Sequence, residues 1–242
     1  MSIAAMPVHV ALVDETGGDI DPADLARVAG ALNEQVQADF APAWKVAATV
    51  GAYPTAPPYT WTVHIQHGLD ADAAGYHWTD HNQPYARVDY DRGDWTVTTS
   101  HEIGEMLADP WGNRLHEAQA LDGWSSDTGS TRVRYLVEVC DPCERVTYRV
   151  GGVAVSDFIL PPFYRSSSQG PSARYSYTGA LREPLEVLPG GYISFFDPAD
   201  GHLWQRFVDG QGNAQDVDHG PPQPGMSLRE FADYGARRQS GR

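Results

Sequence analysis

The sequence predicts an α+β chain: a mixed sheet backed by helices, then a loop- and β-rich region. Three observations carry this expectation. Up to Pro110, segments of period two alternate with segments of helical period. After Pro110 the pattern turns to short strand-like runs punctuated by Gly, Pro, Asp and Ser. The composition, 41% hydrophobic and 20% charged over 242 residues, is that of a globular chain able to bury a core. The expected divisions are residues 1–110, residues 111–225, and a short helix with a tail at 226–242.

Each element has its own justification. "PVHVALVD" (7–14) is Val-rich and alternating, hence a strand. "DPADLARVAGALNEQVQADF" (21–40) reads as a helix: Asp21 is a candidate N-cap, Pro22 suits the first turn, and Leu25, Val28, Ala29, Leu32 and Val36 recur at helical spacing. "WKVAATVGAY" (44–53) and "YTWTVHIQH" (59–67) are two strands separated by a Pro-rich turn. "GYHWTDHNQPYARVDY" (75–90) reads as an irregular edge segment followed by a strand. A helix is expected from about Trp95 to Ala108, stopped by Pro110. Strand, helix, three strands and helix make a sandwich in which helices cover one sheet face.

Beyond Pro110, residues 111–133 read mostly as loop. Residues 134–164 give strand, "DPC" turn, strand, "GG" turn and strand. Residues 166–179 are a polar loop. The turn "DPADG" joins two strands within 189–207, and "SLREFADYGARR" (227–238) is a closing helix. No repeat of 20–50 residues is visible.

Net charge is −15, from 17 basic and 32 acidic residues. Nucleic acid and anionic membranes are therefore not expected as partners, since phosphate binding runs on Lys and Arg. No apolar run reaches the length of a membrane span, and the N-terminus lacks the basic region of a secretory leader. These features point to a cytoplasmic protein, with leaderless export the alternative. Two cysteines, Cys140 and Cys143, exclude a disulfide-rich scaffold and a four-Cys zinc site.

The chemistry concentrates in "TTSHEIGEMLADP" (98–110). At about 100° per residue, His101, Glu102, Glu105 and Asp109 fall on one quarter of a helix, and Ile103, Met106 and Leu107 fall opposite. Glu105 and Asp109 lie near the C-terminus, where the helix dipole disfavours anions, and at i,i+4 they repel each other. A bound cation relieves both costs. The plainer reading is an acidic wet face, with Thr99 and Glu102 forming a capping box. A second cluster, Glu138, Asp141 and Glu144, lies in "EVCDPCE". Apolar neighbours predict that Glu138 is partly buried, and a buried carboxylate needs a cationic partner. That partner is either an arginine or a metal shared with the first cluster.

The element order, with an H-E helix after a mixed sheet, resembles the zincin metallopeptidases. More narrowly, Ser100, His101, Glu102, Glu105, Asp109-Pro110, Glu138, Asp141 and Cys143 are similar to a bacterial group related to the plant exordium, or phosphate-induced, proteins. The likeness covers roughly residues 60–165. It implies a zincin-like fold, with His101 as a metal ligand, Glu102 as general base and Glu105 at the second-ligand position. Glu138 is the expected third ligand, with Asp141 and Asp109 in reserve. A carboxylate replaces the usual second imidazole, which hardens the donor set. Zinc is the expected metal, and calcium, manganese and iron are its competitors.

The implied function is a metal-dependent hydrolase, a peptidase acting on peptide or protein, with Glu102 taking a proton from an activated water. The alternative is a non-catalytic binding or structural module holding a structural cation or a buried hydrogen-bond network. His77, His81 and Tyr164 are the available oxyanion donors, although the pattern reads both histidines as surface residues. His64 and His67 read as structural, and His116 as a weak fourth ligand. The cysteines read as structural, buried or bonded to each other.

Overall fold

A computed structural model describes residues 7–69, 73–124, 128–170 and 172–240. Residues 1–6, on which the reading of the N-terminus partly rests, lie outside them, as do 241–242 of the tail and 125–127 of the loop. The chain is α+β. It divides into two units: Met1–Pro110 with Thr147–Ser156, and Trp111–Val146 with Asp157–Arg242. Among the described residues, no helix is long and apolar enough to cross a membrane.

The first unit is built on five strands: β1 (Val8–Asp14), β2 (Ala48–Tyr53), β3 (Trp61–Gln66), β4 (Gly75–Asp80) and β5 (Gln83–Asp89). Their order is β2-β1-β3-β5-β4. All neighbours are parallel except β4, which pairs antiparallel to β5 and forms one edge. Register puts Val10, Leu12, Val50, Val63, Ile65, Ala86 and Val88 on one face, and all are buried. The opposite face carries His9, His64, Gln66 and Arg87, none of them buried.

Helix α1 (Pro22–Glu34) starts as the sequence predicts, with the Asp21 carboxylate accepting from Ala23 N–H. It does not stop at Phe40. It widens into a π-turn at Gln35–Phe40 and continues as α2 (Ala41–Trp44), which Lys45 ends in the left-handed region at φ 59°. Trp44 is therefore helical, and β2 starts only at Ala48. The segment 75–80 is a regular strand rather than an irregular edge. His81 (φ 49°) and Asn82 (φ 62°) form the two-residue turn into β5, and two left-handed residues are what a tight hairpin requires.

Helix α3 (Trp95–Ala108) has the predicted bounds but a different cap. Asp94 accepts from Thr96 N–H, whereas Thr99 lies inside the helix and its hydroxyl donates to the Trp95 carbonyl. Thr99 and Glu102 therefore form no capping box. A hairpin from further along the chain, β8 (Thr147–Val150) and β9 (Val153–Ser156), also belongs to this unit. Ser156 N–H donates to Ser100 Oγ at 2.6 Å, and the Thr96 hydroxyl donates to the Ala154 carbonyl at 2.8 Å.

The second unit is an antiparallel sheet in the order β12-β11-β10-β7-β6. Its strands are β6 (Leu115–Gln119), β7 (Arg132–Leu136), β10 (Tyr192–Asp197), β11 (His202–Val208) and β12 (Ala214–Gly220). Strands β6 and β12 fall where the sequence reads as loop or gives no element. Tyr135, Phe195, Val133 and Leu203 are its buried centre. The closing helix α4 (Leu228–Ser240) opens on a reciprocal capping box: Ser227 N–H donates to Glu230, and Glu230 N–H donates to Ser227 Oγ.

Candidate functional site

The first unit brings four titratable side chains together. Helix α3 supplies His101, Glu102 and Glu105, and the edge strand β4 supplies His77; all four are buried. The local reason is the match of two periods. Gly75, His77 and Thr79 share the face of β4 that continues Ala86 and Val88 of β5. At i and i+4, His101 and Glu105 stand one above the other on α3. Ile103, Met106 and Leu107 are buried too. From Thr99 to Ala108 the helix is therefore buried on every side, and the face expected to be wet is dry.

His101 Nε2 lies 3.3 Å from Glu105 Oε1. His77 Nδ1 lies 3.3 Å from Glu102 Oε2 and 3.7 Å from Glu105 Oε2. Burying carboxylates is costly unless charge or hydrogen bonds compensate, and here each carboxylate has an imidazole beside it. Gly75 allows the approach: a Cβ there would sit 2.8 Å from Glu102 Oε1 and 2.7 Å from Thr98 Cγ2. Asp109 is buried at the helix end, its φ of −132° taking it off helical geometry, and its N–H donates to the Glu105 carbonyl.

Of the predicted site residues, His101, Glu102 and Glu105 stand together. Glu138 and Asp141 belong to the second unit. Strand β7 ends at Leu136, so Glu138 is not in a strand; both carboxylates are buried in the approach to and start of the "DPC" turn. The cation beside them is Arg229 of α4, whose Nη1 lies 3.4 Å from Glu138 and 3.1 Å from Asp141, while its Nε lies 3.3 Å from Asp233. Burial works against the guanidinium charge, but Asp233, then Tyr192, Glu138 and Asp141, hold it well above its ordinary range. Arg132, which is close to Glu138 in sequence, pairs instead with Glu117. Cys140 precedes this turn and Cys143 closes it; both are buried and are not joined in a disulfide.

No family model, curated protein or solved structure matches this chain.

Two placements escaped the sequence: the burial of His77, which reads there only as an oxyanion candidate, and the pairing of Arg229. His77, read as a surface residue, is 1% exposed, and the signal was its period-two relation to Gly75 and Thr79. Arg229 carries no local signal. The remaining histidines read as structural or weak do have other partners. His64 pairs with Glu15, and His67 lies between Asp19 and Asp91. His116 stacks on Tyr164 at 4.5 Å, and its pKa is lowered by burial and by Arg114. His81 is exposed beside Asp80.

Proposed function

We propose that this chain is a metal-dependent hydrolase of zincin type, a peptidase, in which His101 and Glu105 hold a divalent cation and Glu102 is the general base. The observation that carries the reading is the buried group of His77, His101, Glu102 and Glu105 on one helix and one strand. The donor set fits. Two ligand atoms of a tetrahedral zinc with bonds of about 2.1 Å stand about 3.4 Å apart, and His101 Nε2 and Glu105 Oε1 are separated by 3.3 Å. Imidazole with carboxylate suits zinc first, with manganese and iron close behind, whereas calcium prefers oxygen alone.

When bound, the cation supplies a Lewis acid that polarises a carbonyl and eases deprotonation of water near neutral pH. The chain's own residues do the rest. Glu102 accepts the proton of the attacking water and passes it to the leaving amine. The dry surroundings strengthen that exchange. Peptide as the substrate class comes from the resemblance to zincins. Glu138, the third ligand that resemblance implies, stands beside Arg229 in the second unit, and the reading rests on the first unit's residues alone.

One observation favours a second reading, a non-catalytic module. Each carboxylate already has an imidazole at 3.3 Å, so the group also works as a structural set of imidazole–carboxylate pairs without a cation. Elemental analysis of protein purified without chelators or a His-tag, with a peptide-cleavage assay, separates the two. Near-stoichiometric metal that disappears in His101→Ala and Glu105→Ala, together with cleavage of a peptide library that Glu102→Gln abolishes while keeping the metal, supports the hydrolase; the same metal without cleavage supports a module with a structural cation. Metal-free protein whose melting ignores both zinc and chelator supports the module.

A further inference from the structure

The edge strand contributes something the H-E helix alone does not. The two oxygens of Glu105 face different imidazoles: Oε1 faces His101 Nε2 at 3.3 Å on its own helix, and Oε2 faces His77 Nδ1 at 3.7 Å on β4. The same Nδ1 stands 3.3 Å from Glu102 Oε2. One ring nitrogen thus sits beside both the residue assigned to the metal and the residue assigned to the proton. The backbone confirms that this closeness is built in, because Gly75, two residues earlier on the same face, leaves room for Glu102 that a side chain would fill.

We propose that His77 is a positioning residue: its Nδ1–H donates to Glu102 Oε2 at 3.3 Å, and its ring, 3.7 Å from Glu105 Oε2, walls that oxygen off so that Glu105 Oε1 and His101 Nε2 are turned together toward a divalent cation. The inference rests on the metal reading above. It assigns the oxygens separate roles, Oε1 to the cation and Oε2 to the strand. A ring is suited to this because its nitrogen is held at a fixed distance from a rigid sheet, while a flexible donor would have to be ordered first. Groups that orient ligands in this way typically change metal affinity by about 10–100-fold when removed.

The test is zinc affinity of the full chain, measured by competition with a chromophoric chelator. His77→Leu should bind zinc about 10–100-fold more weakly, and His77→Gln, which returns an N–H donor, should recover most of the loss. His101→Ala and Glu105→Ala should lose zinc altogether. If Glu105→Ala loses zinc while His77→Leu binds like the parent, the positioning role is wrong and the metal reading stands. If the parent protein binds no zinc, both fall together. Should His77→Leu fail to fold, long-range 15N spectra of the unaltered protein decide: a proton on Nδ1 of His77 is expected, and a ring protonated only at Nε2 overturns the role.

Discussion

Arg229 and Asp141, 88 residues apart in sequence, meet in the interior of the second unit, with Nη1 donating to Oδ2 at 3.1 Å. The contact ties α4 to the "DPC" turn, and Glu138 and Asp233 complete the surroundings of the guanidinium. Replacing Arg229 by Ala leaves two buried carboxylates without their cation, and breaking a buried pair from one side costs about 3–5 kcal/mol. Urea denaturation of Arg229→Ala should show a loss of that size. Arg27→Ala, which removes an exposed pair with Asp24, should leave the midpoint where it is.

Glycine in a strand normally gives up stability to alanine. At Gly75 the sign should reverse. An added Cβ would meet Thr98 Cγ2 at 2.7 Å, Glu102 Oε1 at 2.8 Å and the Arg87 carbonyl at 3.1 Å, the last being backbone. Overpacking of this kind costs about 1–3 kcal/mol. Gly75→Ala should therefore lower the melting temperature and, if zinc binds as proposed, weaken it by disturbing the wall beside Glu102. A variant as stable as the parent would mean that β4 yields freely.

His219 should give the second unit a pH dependence of stability. Its Nε2 pairs with Gln205 Oε1 at 2.7 Å, and Nδ1 faces Gly235 with no hydrogen-bond partner among the described residues. Burial lowers its pKa below the ordinary 6.5, against the pull of Asp218 and Asp233. The unfolded chain then binds the proton more readily than the fold does, so stability is complete above about pH 6.5 and falls as pH drops below it. His67 and His202 run the opposite way, since hydrogen bonds to Asp91 and to Asp218 raise their pKa. Their contribution is present below pH 6.5 and lost as pH rises. The quantity to measure is therefore the difference in melting temperature between the parent and His219→Gln from about pH 5 to pH 8; it should shrink on acidification, and a constant difference would refute the assignment.

Legibility in the sequence followed the strength of local signals. The end of α3 could be read because Pro110 stops the helix, whereas its cap could not: Asp94 takes the place that the sequence suggests for Thr99. Strand β12, "AQDVDHG", could not, because it is a sheet edge held by backbone pairing to β11 and needs few apolar residues. Strand β4 read as irregular because its turn uses His81 and Asn82 where a glycine would have announced a hairpin, and with β4 went His77. That His101, Glu102 and Glu105 cluster on one part of α3 was legible from their spacing. Their burial was not, because an acidic quarter of a helix looks solvent-facing until the strand that covers it is known. Arg229 depends on a pairing between distant segments, and no window of sequence contains it.

The β8–β9 hairpin sets a condition on how the protein is made. Its ends are pinned within the second unit, where Asp157 N–H donates to the Val146 carbonyl, while its strands belong to the first unit and reach α3 through Ser100 and Thr96. A ribosome that has released Pro110 has therefore not yet delivered a complete first unit. The nascent helix α3 must wait, with its Ser100 side bare, until Ser156 emerges. Until then the exposed stretch is open to chaperones, and rare codons between Pro110 and Ser156 would lengthen that exposure more than rare codons anywhere later in the message.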